Sequence, residues 1–132
     1  VAVGLDQQRL AMHLAVLHRH CGITLGDQDV FANAVGGVRI NETGADLALL
    51  LAVLGSFRDR VLPRELIVFG ELGLTGELRP VANGQERLRE ASKHGFKHAI
   101  VPFANRPKER IGNMTIHGVK TLAAALEVVS TL

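Results

Sequence analysis

The sequence contains no tryptophan and no tyrosine, and only five phenylalanines in 132 residues. Its core must therefore be built from Leu, Val, Ile and Ala. It also offers no evident cluster of exposed rings, which argues against base stacking as a means of holding single-stranded nucleic acid. The single cysteine, Cys21, excludes an internal disulfide and suits a reducing cytosol, so a cytoplasmic location is expected. No basic-then-apolar-then-small pattern opens the chain, so no signal peptide is read there. The longest apolar run, Leu47 to Leu54, is far short of a bilayer span, and no membrane partner is expected. No GxxxxGK[ST] occurs, which excludes a P-loop nucleotide motor within this chain. No CxxC or HExxH occurs either. His18 and His20 stand two apart in a helical stretch and so point to different faces. No metal site is expected, and a surface or partly buried place is expected for all six histidines.

What remains is a chain long enough for one compact domain with one core. It is 47% hydrophobic and 21% charged, with a net charge of +2 and a pI near 9.1. That balance permits an anionic partner without demanding one. Eleven arginines against four lysines is a marked bias, and the planar guanidinium suits phosphate and carboxylate alike.

Local patterns divide the chain into alternating elements. Leu10, Leu14, Leu17 and Cys21 recur at helical spacing, with Asp6 as a candidate N-cap and Gly22 as the stop. Residues 29–40 read as a strand, with Gly36 and Gly37 marking a bulge or a close backbone approach. Asn41 can cap a helix over 42–58 that is apolar almost all round, which predicts either a sandwiched core helix or a subunit interface. ELIVFGEL, 65–72, reads as one buried strand, followed by a turn at Gly73 and Gly76. Asn83-Gly84-Gln85-Glu86 resembles a capping box at the start of a helix that Gly95 terminates, with Gln85 in the capping network. HAIVP (98–102) and MTIHGV (114–119) read as strands, and the last twelve residues as a helix. The expected fold class is α+β, a mixed sheet with packed helices in a single domain spanning 1–132.

LTGELRPVANGQERLREASKHGFKHAIVPFAN resembles the C-terminal half of the Lon-type protease domain, and NETGADLALLLAVL is similar to that family's nucleophile segment. The resemblance covers about residues 29–130 and implies the Lon-protease-like (ribosomal protein S5 domain 2-like) fold. The family's chemistry is a Ser–Lys dyad. Its serine attacks the peptide carbonyl, and its lysine must lose its proton near neutral pH, far below the usual value of about 10.4, to act as base. The serine position falls on Ala45 and the lysine position on Gln85. Alanine offers no nucleophile, and glutamine takes no proton at any relevant pH. Ser56 lies about three helical turns past Ala45, roughly 16 Å by helical rise, and Lys93 about two turns past Gln85. No compensating pair is visible, and proteolysis by this chain is not expected.

GGVRI, FRDRVLPRELIVFGE, GQERLREA and KHGFK together resemble one non-proteolytic branch, the RadA (Sms) family of bacterial DNA repair proteins. The resemblance implies an excised C-terminal domain of a longer DNA-dependent ATPase. ATP, Mg and Zn would belong to parts of that ATPase outside this chain. It further implies a homo-oligomer, a hexamer in the full-length protein, in which this domain forms the ring scaffold and contacts single-stranded or branched DNA. If DNA threads such a ring, Arg39, Arg79, Arg87 and Arg89, which flank the degenerate dyad, are the candidate phosphate contacts. For each, a solvated charge or a surface ion pair is the competing expectation, as Arg89 with Glu86 or Glu90 would be.

Overall fold

The computed structural model describes residues 2–3, 7–22, 32–33, 43–57 and 62–132. The Asp6 and Asn41 caps, the Gly36-Gly37 pair and Arg39 lie outside the described residues, as does most of the strand read over 29–40.

The described elements form a small α+β domain. Strand β1 (Ala2–Val3) pairs in parallel with β2 (Ala32–Asn33), and helix α1 (Gln7–Cys21) lies between them in sequence. A 3-10 turn over Thr43–Ala45 leads into helix α2 (Asp46–Phe57). Strand β3 (Leu66–Val68) is followed by a small antiparallel pair, β4 (Glu71–Leu72) with β5 (Leu78–Arg79). Helix α3 (Gly84–Lys93), strand β6 (His98–Pro102), strand β7 (Thr115–Val119) and helix α4 (Leu122–Thr131) complete the chain.

The main sheet is parallel, in the order β3-β6-β7, with Val68 opposite Ile100 and Val101 opposite Gly118. Ala99, Ile100 and Val101 are all fully buried. An uninterrupted apolar run is what a strand covered on both faces requires. Ile100 and Val119 pack with Leu47, Leu50, Leu51 and Leu54 of α2, Val16 and Leu17 of α1, and Leu122 and Ala125 of α4. Ala99 and Val101 pack on the opposite face with Phe69, Ile111, Met114, and Leu88 and Ala91 of α3. Helix α2 is thus a core helix of this chain on the side that carries its four buried leucines. That accounts for most of the apolar surface its sequence offered.

Two local expectations are corrected. ELIVFGEL is not one strand. It leaves the sheet at Gly70 (φ +155°), whose N–H donates to Gly44 O at 2.9 Å and whose carbonyl accepts from Leu47 N at 3.1 Å. The peptide that would have continued the ladder is engaged instead by the start of α2. The capping box at α3 does not form. Asn83 sits in the left-handed region (φ 59°, ψ 34°) and makes no side-chain cap bond. Side-chain capping needs an extended residue at that place. The other end of α3 follows expectation: Gly95 has φ +89°, and Phe96 N donates to Ala91 O, a Schellman closure. Thr121 caps α4, its hydroxyl accepting from Ala124 N at 3.1 Å.

Candidate nucleic-acid interface

Helices α2 and α3 both begin at the carboxyl end of the parallel sheet. The start of α2 is tied to Gly70, just past β3. The start of α3 is held by Asn105, just past β6. Asn105 Oδ1 accepts from Val81 N at 2.8 Å, and its Nδ2 donates to Val81 O at 2.9 Å. Gly84 lies against that amide, and a Cβ there would come within 2.5 Å of Nδ2. In open α/β sheets this end is where ligands are received. Ala45, half-buried, and Gln85, exposed, both stand here.

Beside Ala45 the structure holds a charge cluster. Asp46 is 5% exposed. Arg9 Nε donates to its Oδ1 at 2.8 Å and Arg9 Nη2 to its Oδ2 at 2.6 Å, while Leu72 N donates to Oδ2 at 3.0 Å. Glu71 lies 4.0 Å from the same guanidinium and accepts from the Thr43 hydroxyl at 3.3 Å. The cluster joins α1, the entry to α2, and β4. Its one sequence signal was an aspartate on an otherwise apolar helix.

His13 completes the cluster and corrects the expectation for the histidines. It is 2% exposed, its Nε2 is 3.7 Å from Asp46 Oδ2, and that nitrogen has no hydrogen-bond partner among the described residues. It occupies the buried stripe of α1 together with Leu10 and Leu17. Burial pushes its pKa below the ordinary 6.5; the Asp46 carboxylate opposes this and the Arg9 guanidinium adds to it. The unfolded chain therefore takes up a proton where the folded one does not. This contribution to stability is complete above the unfolded value and falls as pH drops below about 6.5. Urea midpoints at pH 7.5 and 5.5 check it. The wild type should lose stability on acidification, and His13→Leu should lose measurably less. Equal losses would assign the dependence to other groups.

Gln85 does not join a cap. Its Oε1 accepts from Arg89 Nη2 at 3.3 Å, one turn on. The surface ion pair with Glu86 or Glu90, one of the two competing expectations for Arg89, does not form; Glu90 instead engages His94 at 3.0 Å. Gln85 and Arg89 line an open cleft of about 300 Å³ with Lys108, Glu109, Arg110 and Ile111. Three cations face one carboxylate there. Among the described residues, none of Arg89, Lys108 and Arg110 has a carboxylate within ion-pair distance.

The remaining sequence candidates sit differently. Arg79 is 58% exposed and 3.8 Å from Glu77, the surface pair of the competing expectation. Arg87 donates from Nε to Ala82 O at 3.1 Å and stands 5.9 Å from the centre of the Phe69 ring. Of Arg79, Arg87 and Arg89, the candidates among the described residues, the structure places only Arg89 in the basic cleft. It adds Lys108 and Arg110, which in the sequence belong to a plain polar loop. The run RPKER was the available signal. Among the described residues, no group of three or more His, Cys, Asp and Glu is placed to hold a metal ion, and no helix is long and apolar enough to cross a membrane.

Residues 9–105 match the family model described as subunit ChlI of Mg-chelatase, and the chain belongs to that family. The chain is also 62% identical over all 132 residues to the DNA repair protein RadA of Haemophilus influenzae, and 63% identical to that of Salmonella typhimurium. The RadA protein of Aquifex aeolicus is 42% identical over 125 residues. The chain spans 29% of the length of the first two relatives. Identity of this order along the whole chain supports its being a segment of a RadA-related DNA repair protein.

Proposed function

We propose that this chain is the non-proteolytic, Lon-protease-like domain of a cytoplasmic, RadA-type DNA repair and recombination ATPase. In it the domain serves as a scaffold of a homo-oligomeric ring, a hexamer in the full-length protein, and as a sequence-independent contact for DNA. ATP, Mg and Zn act in other parts of that protein. The observation that carries the DNA-contacting reading is the basic cleft beside Gln85, whose three cations lack acidic partners among the described residues. Arg9, by contrast, is neutralised within the fold by Asp46. The non-enzymatic reading rests on Ala45 and Gln85 at the positions where the resemblance expects serine and lysine.

Binding of this kind is dominated by phosphates and weakened by salt. Arg89→Ala, Lys108→Ala and Arg110→Ala combined should weaken DNA binding about tenfold. The slope of log K against log salt should flatten by about 0.7–0.9 for each phosphate that is no longer neutralised. Mobility shifts across a salt series measure both. Wild-type protein that shifts no DNA at low salt would remove the DNA contact and leave a pure oligomerisation domain, whose ring light scattering would reveal. Peptide turnover that survives repeated purification would restore the peptidase reading.

A further inference from the structure

At the carboxyl ends of β6 and β7 stands a second group of cations, built around a ring. Phe103 follows β6 and is 38% exposed. The guanidinium of Arg106 lies over its face, with Cζ 3.5 Å from the ring centre, and Lys120 Nζ is 4.6 Å from the same centre. Arg106 Nε donates to Phe103 O at 3.3 Å. The stem of Arg106 crosses Gly118 of β7, where any Cβ would overlap its Cγ and Cδ. Among the described residues, neither Arg106 nor Lys120 has a carboxylate within ion-pair distance.

Each of these contacts fixes the guanidinium plane. The ring supports one face, the backbone carbonyl sets its direction, and the absent side chain at Gly118 leaves it room. An exposed arginine ordinarily keeps much of its rotamer freedom and loses it on binding; one already held flat loses less. Its outer face is a planar surface of the kind on which unpaired bases stack. A nearby ammonium is suited to the phosphate of the same nucleotide.

We propose that Arg106, backed by Phe103 and flanked by Lys120, is a stacking platform for one nucleotide of single-stranded nucleic acid. The base lies on the guanidinium and the phosphate on Lys120. This rests on the DNA-contacting reading above and specifies the strand form it favours. It also revises the sequence expectation about stacking, since one ring suffices when an arginine extends it.

The test uses an oligonucleotide carrying 2-aminopurine, whose fluorescence responds to stacking, in a protein free of tryptophan and tyrosine. Arg106→Lys keeps the charge and removes the plane. Gly118→Ala keeps every charge and displaces the arginine. Both should bind single strands about tenfold more weakly, with little change on duplex and an unchanged salt slope. The 2-aminopurine response should disappear in both. Circular dichroism melts confirm that each variant is folded, and Phe103→Leu provides a third route should Gly118→Ala melt early. Single-strand binding and fluorescence of Arg106→Lys equal to wild type would overturn the platform while leaving the DNA reading intact. So would an Arg106→Ala variant that loses single strands and duplex equally, since that marks a plain phosphate contact. Wild-type protein that binds no DNA at all would overturn both.

Discussion

Asp46→Ala should destabilise the fold by about 3 kcal/mol, the lower end of the range for breaking a buried ion pair, because Asp46 is buried and Arg9 only partly so. Three donors converge on this carboxylate: two from Arg9 and the backbone N–H of Leu72. Alanine removes the acceptor that these three donors share and leaves the guanidinium, 31% exposed, with Glu71 4.0 Å away. Asp46 is also the first residue of α2, so its negative charge lies at the positive end of that helix dipole. Urea denaturation measures the loss. A double-mutant cycle with Arg9→Met separates the pair from the rest. The double variant should be less unstable than the sum of the two single variants, because Arg9→Met removes the guanidinium that has lost its bidentate carboxylate. A loss under about 1 kcal/mol for Asp46→Ala, the scale of an exposed surface pair, would show that solvent satisfies the cluster.

The second large effect is expected at Leu88. Helix α3 meets the sheet through Gly84, Leu88 and Ala91, at spacings of four and three, and every other position on it is polar. Leu88 is the one large apolar side chain on the helix, and it is fully buried against Phe69, Ala99, Val101, Ile111 and Met114. Leu88→Ala should cost about 3 kcal/mol, from reduced burial and the cavity left behind. A calorimetric Tm about 10 °C lower would correspond. On the proposed DNA-contacting reading the cost is also functional, because α3 presents Gln85 and Arg89 to the cleft. DNA affinity of Leu88→Ala should fall more steeply with temperature than that of the wild type. Leu88→Met, which preserves volume, should restore most of both. A melting temperature within about 2 °C of wild type, far below the expected drop, would show that α3 is held mainly by the Asn105 clamp at its entry.

The sequence was most readable where a signal and its effect are neighbours in the chain. Gly22 and Gly95 end helices because a left-handed residue closes the last turn locally. HAIVP is a strand as read, since an apolar run between polar links has few alternatives. It was least readable where partners are far apart in sequence. The break at Gly70 depends on Gly44 and Leu47. Asn83 gives up its capping role in a turn whose neighbour, Val81, is fixed by an asparagine 24 residues on. His13 is buried beside a charge pair whose members are 37 residues apart. The basic cleft forms only once the segment after β6 folds back towards α3. No spacing rule places Lys108 and Arg110 beside Gln85. Of the arginines chosen for flanking the dyad positions, Arg79 and Arg87 have partners within the chain, and nearness along the sequence could not reveal that.

The segment between Asn105 and Ile111 is pinned at both ends, by the Val81 clamp and by a buried isoleucine, and is largely exposed between them. Arg106, Lys108 and Arg110 belong to neither apolar core. The segment's exposed side chains can therefore be rewritten at little cost to the packing beneath. A lineage can alter what its outer rim attracts by exchanging these few side chains while the two cores beneath stay as they are.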